Sequence, residues 1–172
     1  MCSEKIIFTP IGVVHSEHKR PEETPIQPVY AEGCPGRAVL SPEYAEGLKD
    51  IEGFSHLFLL YHFHKSGPFS LAVKPFLDDT PRGLFATRHP CRPNGIGLSI
   101  VRLIRQEGAT LYLEDVDILD GTPLLDIKPL LPGCDVPRDA RGGWTERLDP
   151  RESERRGRRG YRGRSIKKSG EI

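Results

Sequence analysis

The stretch 97–118, GLSIVRLIRQEGATLYLEDVDI, decides the fold class that we expect for this chain. Two apolar segments rich in strand-forming residues flank the dipeptide Glu107-Gly108, which is a turn signal between strands. Helical spacing of apolar residues is scarce here and along the rest of the chain. The stretch therefore predicts a β-hairpin, and with it a β-rich domain.

Further short strands are predicted on both sides of this hairpin. They cover residues 6–14, 36–40, 54–64 and the segment that follows the Asp120-Gly121 turn. One short helix is expected from Pro42 to about Asp50, because Ser41-Pro42-Glu43 has the pattern of a helix start. Frequent short strands favour a mainly β fold, an all-β barrel or a sandwich, over a parallel βαβ fold.

Length and composition suit one cytoplasmic domain. The chain has 172 residues, 37% of them hydrophobic, without a signal-peptide pattern and without the ~20 apolar residues that a membrane span needs. The four cysteines form no C-x-x-C pair, and so few in a chain of this length do not predict a disulfide framework. We expect a reducing cytoplasm, no membrane partner and no metal.

The charge is distributed unevenly, although the whole chain carries a net charge of only +1. Residues 151–172 contain nine Lys or Arg and three Glu, and the stretch from Leu131 onward is rich in Gly, Pro and Arg. We therefore expect a β-barrel domain at 1–137 and an irregular basic tail at 138–172, disordered past about Asp149. The tail is either a solvated end or a clamp for RNA phosphates. The arginines proposed to bind RNA are Arg155, Arg156, Arg158 and Arg159.

The segment 85–101, FATRHPCRPNGIGLSIV, carries more arginine, proline and glycine than a turn between strands requires. Pro90 and Pro93 stiffen the backbone around Arg88 and Arg92, and the glycines allow close backbone approach. It is either a rigid surface turn or a preorganised pocket wall. In the second case its arginines would bind a carboxylate or phosphate through paired hydrogen bonds.

Common catalytic motifs are absent from the sequence. It contains no G-x-G-x-x-G after a strand, no P-loop, no G-x-S-x-G and no H-E-x-x-H. An ordinary doubly wound nucleotide-binding domain is therefore disfavoured.

Histidines and a cysteine leave further alternatives open. His62 and His64 share a face of the predicted strand. They are either structural histidines, contacts to a small-molecule ligand, or two metal ligands for which no third ligand is obvious. Cys91, between His89-Pro90 and Arg92, is either a partly buried, unreactive thiol or the nucleophile of a Cys/His hydrolase.

Four aspartates surround one turn of the predicted hairpin and strand. They are Asp115, Asp117, Asp120 and Asp126. They are either turn formers and solvated charges or functional groups. Asp120 is the best functional candidate, because at a turn both its backbone and its carboxylate can meet a ligand.

Five motifs occur in an order that resembles one protein family. They are PIGVVHS, ETPIQP, GLKDIEGFSHLFLLYHFHKS, PRGLFATRHPCRPNGIGLSIV and DVDILDGTPLLDIKP, and the resemblance covers about residues 6–137. Together they resemble the TsaA-like (TrmO-type) tRNA methyltransferases. The resemblance implies a small antiparallel or mixed β-barrel with one or two short helices, usually dimeric, that binds S-adenosyl-L-methionine without a Rossmann domain. It also implies methyl transfer to N6 of threonylcarbamoyladenosine at position 37, next to the tRNA anticodon.

The resemblance also implies a set of cofactor contacts. They are Gln27, Pro28, Val29, His64, Lys65, Arg88, Leu98, Ile118, Leu119, Asp120 and Gly121. Arg92 and Asn94 are expected to shape the wall of the substrate site. The proton acceptor is unknown, with water, Asp120 and Asp126 as candidates. The alternative from another class is a non-catalytic RNA-binding module that uses the basic tail.

The chain departs from the family pattern in two places. Asn94-Gly95-Ile96-Gly97 stands where members often show Asn-Pro-Ile-Gly, which softens the loop. A short basic tail stands where larger relatives carry a C-terminal domain, so tRNA contacts there do not carry over.

Overall fold

A computed structural model describes residues 5–161 of the chain. The strands are β1 (Gly12–Ser16), β2 (Gly36–Leu40), β3 (His56–His62), β4 (Ala72–Val73), β5 (Arg82–Gly83), β6 (Ile96–Glu107), β7 (Thr110–Glu114) and β8 (Thr122–Pro129). The α-helices are α1 (Pro132–Asp135) and α2 (Pro150–Arg158), and short 3-10 helices occur at Pro21–Glu23, Pro28–Tyr30, Pro42–Leu48, Ile51–Gly53, Leu84–Ala86 and Gly143–Arg147.

Six strands close into a barrel in the order β1-β2-β7-β6-β3-β8. All neighbouring strands are antiparallel, and β8 pairs with β1 through Gly12–Leu124 and Val14–Thr122. Closing the ring leaves no unpaired sheet edge in the barrel. β4 and β5 form a separate two-stranded sheet. The mainly β barrel confirms the predicted fold class.

Alternate side chains of the barrel strands fill its interior. Leu57 and Leu59 of β3, Val101 of β6, Leu111 of β7 and Leu124 of β8 are fully buried and belong to one core cluster. Each such side chain stabilises the fold by about 1.5–3 kcal/mol relative to full exposure. The core therefore fixes the strand ends from which the functional loops leave.

The predicted hairpin is β6 and β7, joined at Glu107-Gly108. Glu107 pairs with Thr110, and Gly108 has a positive φ of 57°, which glycine adopts without a steric penalty. The remaining strand predictions are confirmed at β2, β3 and β8. The predicted helix at 42–50 is a 3-10 helix, Pro42–Leu48.

The first predicted strand begins too early. β1 starts at Gly12, and Ile6 and Ile7 before it are 81% and 88% exposed. The partner strand β2 ends at Leu40, opposite Gly12. Ile11 still donates to the Leu124 carbonyl oxygen at 2.8 Å, but no described strand pairs with residues 6–10. Apolar, β-branched composition is not sufficient for a strand without a neighbour.

The prediction of irregular structure after Asp149 is wrong for residues 150–158, which form α2. The Asp149 side chain accepts a hydrogen bond from the Glu152 backbone N–H at 2.8 Å, and Pro150 occupies the first turn. These are standard helix-start features that the arginine-rich composition obscured. The part of the predicted tail at 162–172 lies outside the described residues.

Candidate functional site

A cleft of about 1170 Å³ opens beside the end of β3. Small-molecule pockets commonly measure ~300–1,000 Å³, so this cleft has room for a cofactor and part of a second ligand. Its walls come from the loop 21–27, the end of β3 and following residues 61–67, residues 75–77, the segment 85–98, the β7–β8 connection 117–122, and the C-terminal residues 141–145 and 159. Residues far apart in the chain thus meet around one space.

One wall of the cleft depends on a glycine in β6. Gly97 pairs with Tyr61 of β3, and a Cβ at Gly97 would lie 2.2 Å from the Tyr61 ring. The absence of a side chain lets the ring lie across the strand, a packing in which an aromatic covers a glycine. The Tyr61 hydroxyl then lies 3.0 Å from the Ser99 hydroxyl. Burial raises the pKa of Tyr61, so this hydroxyl is neutral at physiological pH.

A buried carboxyl group lines the same cleft. Asp117, in the β7–β8 connection, is 7% exposed, and its Oδ1 atom has no hydrogen-bond partner. Burial raises the pKa of Asp117 to about 7, although a hydrogen bond with Ser99 and the positive charge of Arg88 act in the opposite direction. This carboxyl therefore changes its charge near neutral pH.

Positive charge predominates along the walls of the cleft. The basic side chains that line the cleft are Lys65, Arg88, Arg92, Arg141 and Arg159. Among the described lining residues, Glu22 and Asp117 are the carboxylic acids. The excess of positive charge favours ligands that carry carboxylate or phosphate groups.

Hydrogen bonds orient the arginines of the cleft. Arg88 donates from Nη1 to the side-chain oxygen of Gln27 at 2.5 Å. Arg92 donates from Nη1 to the Thr87 carbonyl oxygen at 3.0 Å. The segment 85–101 therefore behaves as a preorganised pocket wall, the second of its two sequence interpretations.

Seven of the predicted cofactor contacts meet at this cleft. They are Gln27, His64, Lys65, Arg88, Leu98, Ile118 and Leu119. The other four, Pro28, Val29, Asp120 and Gly121, are not among the lining residues. Val29 is 73% exposed, and Gly121, with φ of 78°, directs the chain into β8.

The Asp120 side chain points to a different surface from the cleft. Its carboxylate lies 2.7 Å from Lys19 Nζ, 3.3 Å from His15 Nδ1 and 3.1 Å from the Ser16 backbone nitrogen, which donates to it. Burial raises the pKa of Asp120, but hydrogen bonds from Lys19 and Ser16 outweigh that effect and lower it. These contacts make Asp120 a weak base that ties β1 to the turn before β8.

Asp126 also lies away from the cleft. Its carboxylate lies 2.7 Å from Lys128 Nζ and accepts a hydrogen bond from the Ile127 backbone nitrogen at 2.9 Å. Of the two residues expected to shape the substrate site, Arg92 lines the cleft and Asn94 does not. The structure therefore brings neither of the sequence candidates for proton acceptor to this cleft.

Most arginines of α2 are paired with acids of the same molecule. Arg156 bridges Asp79 at 2.8 Å and Glu152 at 2.6 Å, and Arg155 also contacts Glu152 at 2.6 Å. Arg158 lies 2.9 Å from Glu154. Their charge is largely compensated, which weakens the interpretation of the described part of the tail as an RNA clamp.

Arg159 is the member of the predicted RNA-binding set that lines the cleft. It donates to the Pro21 carbonyl oxygen at 2.8 Å, and its guanidinium carbon lies 4.9 Å from the centre of the Phe76 ring. The end of α2 therefore contributes to the cleft wall, although it lies outside the predicted barrel domain, 1–137.

The two strand histidines have different surroundings. His64 lines the cleft with Nδ1 3.4 Å from the Thr122 hydroxyl, whereas exposed His62 has Nδ1 3.2 Å from the Gly95 carbonyl oxygen. Within residues 5–161, no group of three or more His, Cys, Asp or Glu is placed to hold a metal ion. The arrangement suits a ligand contact at His64.

Cys91 lines the cleft, but the nearest histidine is directed elsewhere. His89 Nδ1 accepts a hydrogen bond from the Cys91 backbone nitrogen at 3.2 Å, and its ring stacks on Phe76 at 5.4 Å. This geometry orients His89 by the backbone and an aromatic ring. His89 is therefore not placed as a base for the Cys91 thiol, as the hydrolase hypothesis requires.

Sequence reasoning missed three residues of the site, Tyr61, Ser99 and Trp144, and it ranked Asp120 above Asp117. Trp144 donates from Nε1 to the Ala86 carbonyl oxygen at 2.8 Å, and so joins the C-terminal segment to the arginine-rich wall. A signal for Ser99 exists in the alternation of β6, where a polar residue occupies an inward position. For Trp144 the sequence offered no comparable signal.

Comparison with known proteins identifies the family. A family described as tRNA-methyltransferase O N-terminal domain matches residues 13–136. A probable S-adenosyl-L-methionine-binding protein of Pyrococcus abyssi is 51% identical over 142 residues, covering 83% of this chain and 77% of the relative. The human tRNA (adenine(37)-N6)-methyltransferase is 37% identical over 143 residues, covering 78% of this chain and 32% of the relative.

A solved structure shares the fold. The crystal structure of TrmO from Pseudomonas aeruginosa aligns with a TM-score of 0.69 at 38% identity, covering 82% of this chain and 63% of that chain. This chain thus spans about a third of the human relative and less than two thirds of the crystallised one. No helix between residues 5 and 161 is long and apolar enough to cross a membrane. With the barrel, the cleft and these matches, the chain belongs to the tRNA-methyltransferase O N-terminal domain family.

Proposed function

We propose that this protein transfers the methyl group of S-adenosyl-L-methionine to N6 of threonylcarbamoyladenosine 37 in tRNA. The observation that carries the proposal is the cleft, which combines apolar walls, five basic side chains and a buried carboxyl in a volume for two ligands. The names of the Pyrococcus and human relatives support the cofactor and the adenosine. We assign the protein to the cytoplasm, where its tRNA substrate would be found.

The cofactor fits the residues on one side of the cleft. Arg88, held by Gln27, would bind the methionine carboxylate, and Leu98 would supply an apolar surface for the adenine ring. Backbone groups of Ile118 and Leu119 would meet its polar edge. When bound, the cofactor supplies a sulfonium methyl group, which is already a good electrophile.

The modified adenosine would occupy the remaining space. Its threonyl carboxylate and the neighbouring phosphates are anions, which suits Arg92 and Arg159. Little acid or base chemistry is required, so the main task of the site is to hold the N6 nitrogen in line with the methyl carbon. A carboxylate on the substrate explains why several arginines line a cleft of this size.

The test is methyl transfer by the purified protein to two tRNA preparations, with and without the threonylcarbamoyl group, analysed by mass spectrometry of nucleosides. We expect a gain of one methyl mass on the modified adenosine alone. Methylation of the unmodified adenosine would overturn the requirement for the threonylcarbamoyl group and leave N6-methylation of adenine. Absence of a product together with absence of heat on titration with the cofactor would refute it.

We also propose that the protein acts as a homodimer. The outward face of β6 exposes Ile96, Leu98, Ile100 and Ile104, which are 37%, 45%, 38% and 49% exposed. Arg102 lies between Ile100 and Ile104 on this face, so the apolar row is continuous from Ile96 to Ile100. An exposed apolar row of this kind marks an interaction site in soluble proteins. Because Leu98 also lines the cleft, a partner on this face would lie at the edge of the cofactor site.

A further inference from the structure

Asp117 is a cleft residue with a buried polar atom that the fold leaves without a partner. It is 7% exposed, yet Oδ1 contacts no donor, and the residues on either side of it, Val116 and Ile118, are buried apolar side chains. Buried polar atoms nearly always have a hydrogen-bond partner. An unpartnered carboxyl oxygen in a ligand-sized cleft indicates that a ligand provides the missing partner.

The groups around Asp117 come from four parts of the chain. Ser99 of β6 hydrogen-bonds to its carboxyl and is itself 3.0 Å from the Tyr61 hydroxyl of β3. Arg88 adds a positive charge from the cleft wall, and the Cys34 thiol lies within electrostatic range. Tyr61 and Cys34 are neutral at physiological pH, because burial raises the pKa of each. Arg88 is therefore the charged group that acts on this carboxyl.

We propose that the carboxylate of Asp117 is the proton acceptor in methyl transfer, a role that rests on the proposed function. In this step the N6 nitrogen forms a bond to the methyl carbon while the carbon–sulfur bond breaks and its electron pair remains on sulfur. The proton on N6 passes to an oxygen of Asp117. The products are a thioether, the N6-methylated nucleotide and a neutral Asp117, which then releases the proton to water.

The pKa of Asp117 suits this role. A base works best when its pKa lies near the working pH, and burial raises the pKa of Asp117 to about 7. Asp120 and Asp126 are placed worse, because each is paired with a lysine outside the cleft. The base must be ionised, so activity should rise with pH through about 7 and then level off.

The first test compares Asp117→Asn with the unchanged protein and with Glu43→Gln, an exposed carboxylate outside the cleft. We expect single-turnover methyl transfer to fall by ~10²- to 10⁴-fold in Asp117→Asn, the range for loss of a general base. Calorimetry should show unchanged affinity for S-adenosyl-L-methionine. Glu43→Gln should retain its activity.

A second variant tests whether the pKa of Asp117 sets the pH profile of the activity. Ser99→Ala removes a hydrogen bond that lowers the pKa of Asp117. The rise of activity should therefore move to higher pH while the plateau rate stays within a few-fold of the unchanged protein. Asp117→Asn should lose the rise altogether, because the carboxyl group whose ionisation produces it is gone.

A third measurement needs no catalysis. Because the folded protein raises the pKa of Asp117 above its ordinary value near 4, the folded state binds more protons between pH ~4 and ~7. Its Asp117-dependent stability is thus present at low pH and lost as pH rises through 7. Without cofactor, Asp117→Asn should lose this dependence and melt at or above the unchanged protein at pH 8.

The outcomes separate the two proposals. If the unchanged protein methylates no tRNA, the proposed function is refuted, and so is the assignment of Asp117 as proton acceptor, which depends on it. If it is active but Asp117→Asn keeps the rate and the pH profile, the assignment of Asp117 is overturned. Weaker cofactor binding at an unchanged plateau rate would overturn it equally, because Asp117 would then be a binding group.

Discussion

At the scale of single residues, the cleft works through side chains whose neighbours hold them in one orientation. Arg88 is exposed, and Gln27 accepts its hydrogen bond at 2.5 Å. A guanidinium group fixed in this way loses less conformational entropy on binding a carboxylate than a free one. The Gln27 amide group lies at the end of the loop 21–27, the Pro-rich loop, which is far from Arg88 in the sequence.

Substitution of Arg88 by alanine should weaken cofactor binding. A hydrogen bond to a charged group contributes about 1.5–3 kcal/mol, which corresponds to a roughly 10- to 100-fold rise in Kd. Titration calorimetry with S-adenosyl-L-methionine measures this change. Arg105→Ala, which removes an arginine stacked on Tyr112 at 3.5 Å outside the cleft, is the matched control and should bind normally. Equal affinity in Arg88→Ala would remove Arg88 from the cofactor site.

Gly97→Ala should destabilise the barrel. The new Cβ would lie 2.2 Å from the Tyr61 ring, which must shift away from Ser99. Overpacking of this kind costs about 1–3 kcal/mol. Urea denaturation measures the loss, and Gly47→Ala, where nothing lies within 4 Å, is the control that should be neutral. Equal stability of both variants would show that the Tyr61 ring does not lie across Gly97.

At the scale of elements, α2 acts as a strap across the Pro-rich loop. The Ile26 backbone nitrogen donates to the Gly157 carbonyl oxygen at 3.0 Å, and Arg156 pairs with Asp79 in a different loop. These contacts hold the end of α2, where Arg159 faces the cleft. An element outside the matched family region, 13–136, thus supplies part of the site.

Gly157→Val should release α2 from the loop. A Cβ at Gly157 would lie 2.3 Å from the Tyr30 ring, so the helix and the ring cannot keep their packing. We expect faster hydrogen exchange at residues 21–30 and in α2, with little change in the barrel strands, because the core does not include α2. Gly133→Val, where nothing lies within 4 Å of the added Cβ, is the control. Unchanged exchange in Gly157→Val would contradict the strap.

At the scale of the whole molecule, the barrel presents an apolar stripe on β6 beside a positively charged cleft. Single exposed apolar residues are ordinary, but a row along one strand face is expected to be covered. Covering this row with a second copy would place two clefts in one particle.

Ile100→Glu should shift the protein from dimer to monomer, because it places a charge in the middle of the β6 stripe. Light scattering after size-exclusion chromatography measures the mass at several concentrations. Ile7→Glu makes the same substitution at a residue that is 88% exposed and outside the barrel, and it should leave the mass unchanged. A monomeric unchanged protein would refute the dimer directly.

The sequence by itself determined the β-rich class, and about half of the residues that it predicted for the site line the cleft. Alternation and the Glu107-Gly108 turn are local properties, and a local pattern is sufficient to specify strands and a hairpin. The motif resemblance identified Arg88, His64 and Leu98, which line the cleft. It also indicated the family that the comparisons show.

Only the tertiary structure decided which aspartate enters the cleft and where the C-terminal arginines point. Asp117 and Asp120 are three residues apart, yet the first is buried in the cleft and the second pairs with Lys19 on another surface. The pKa of a carboxyl depends on burial and on neighbours from distant strands, which no local pattern contains. For the same reason a basic composition could not reveal that Arg156 is paired with Asp79, 77 residues away in the chain.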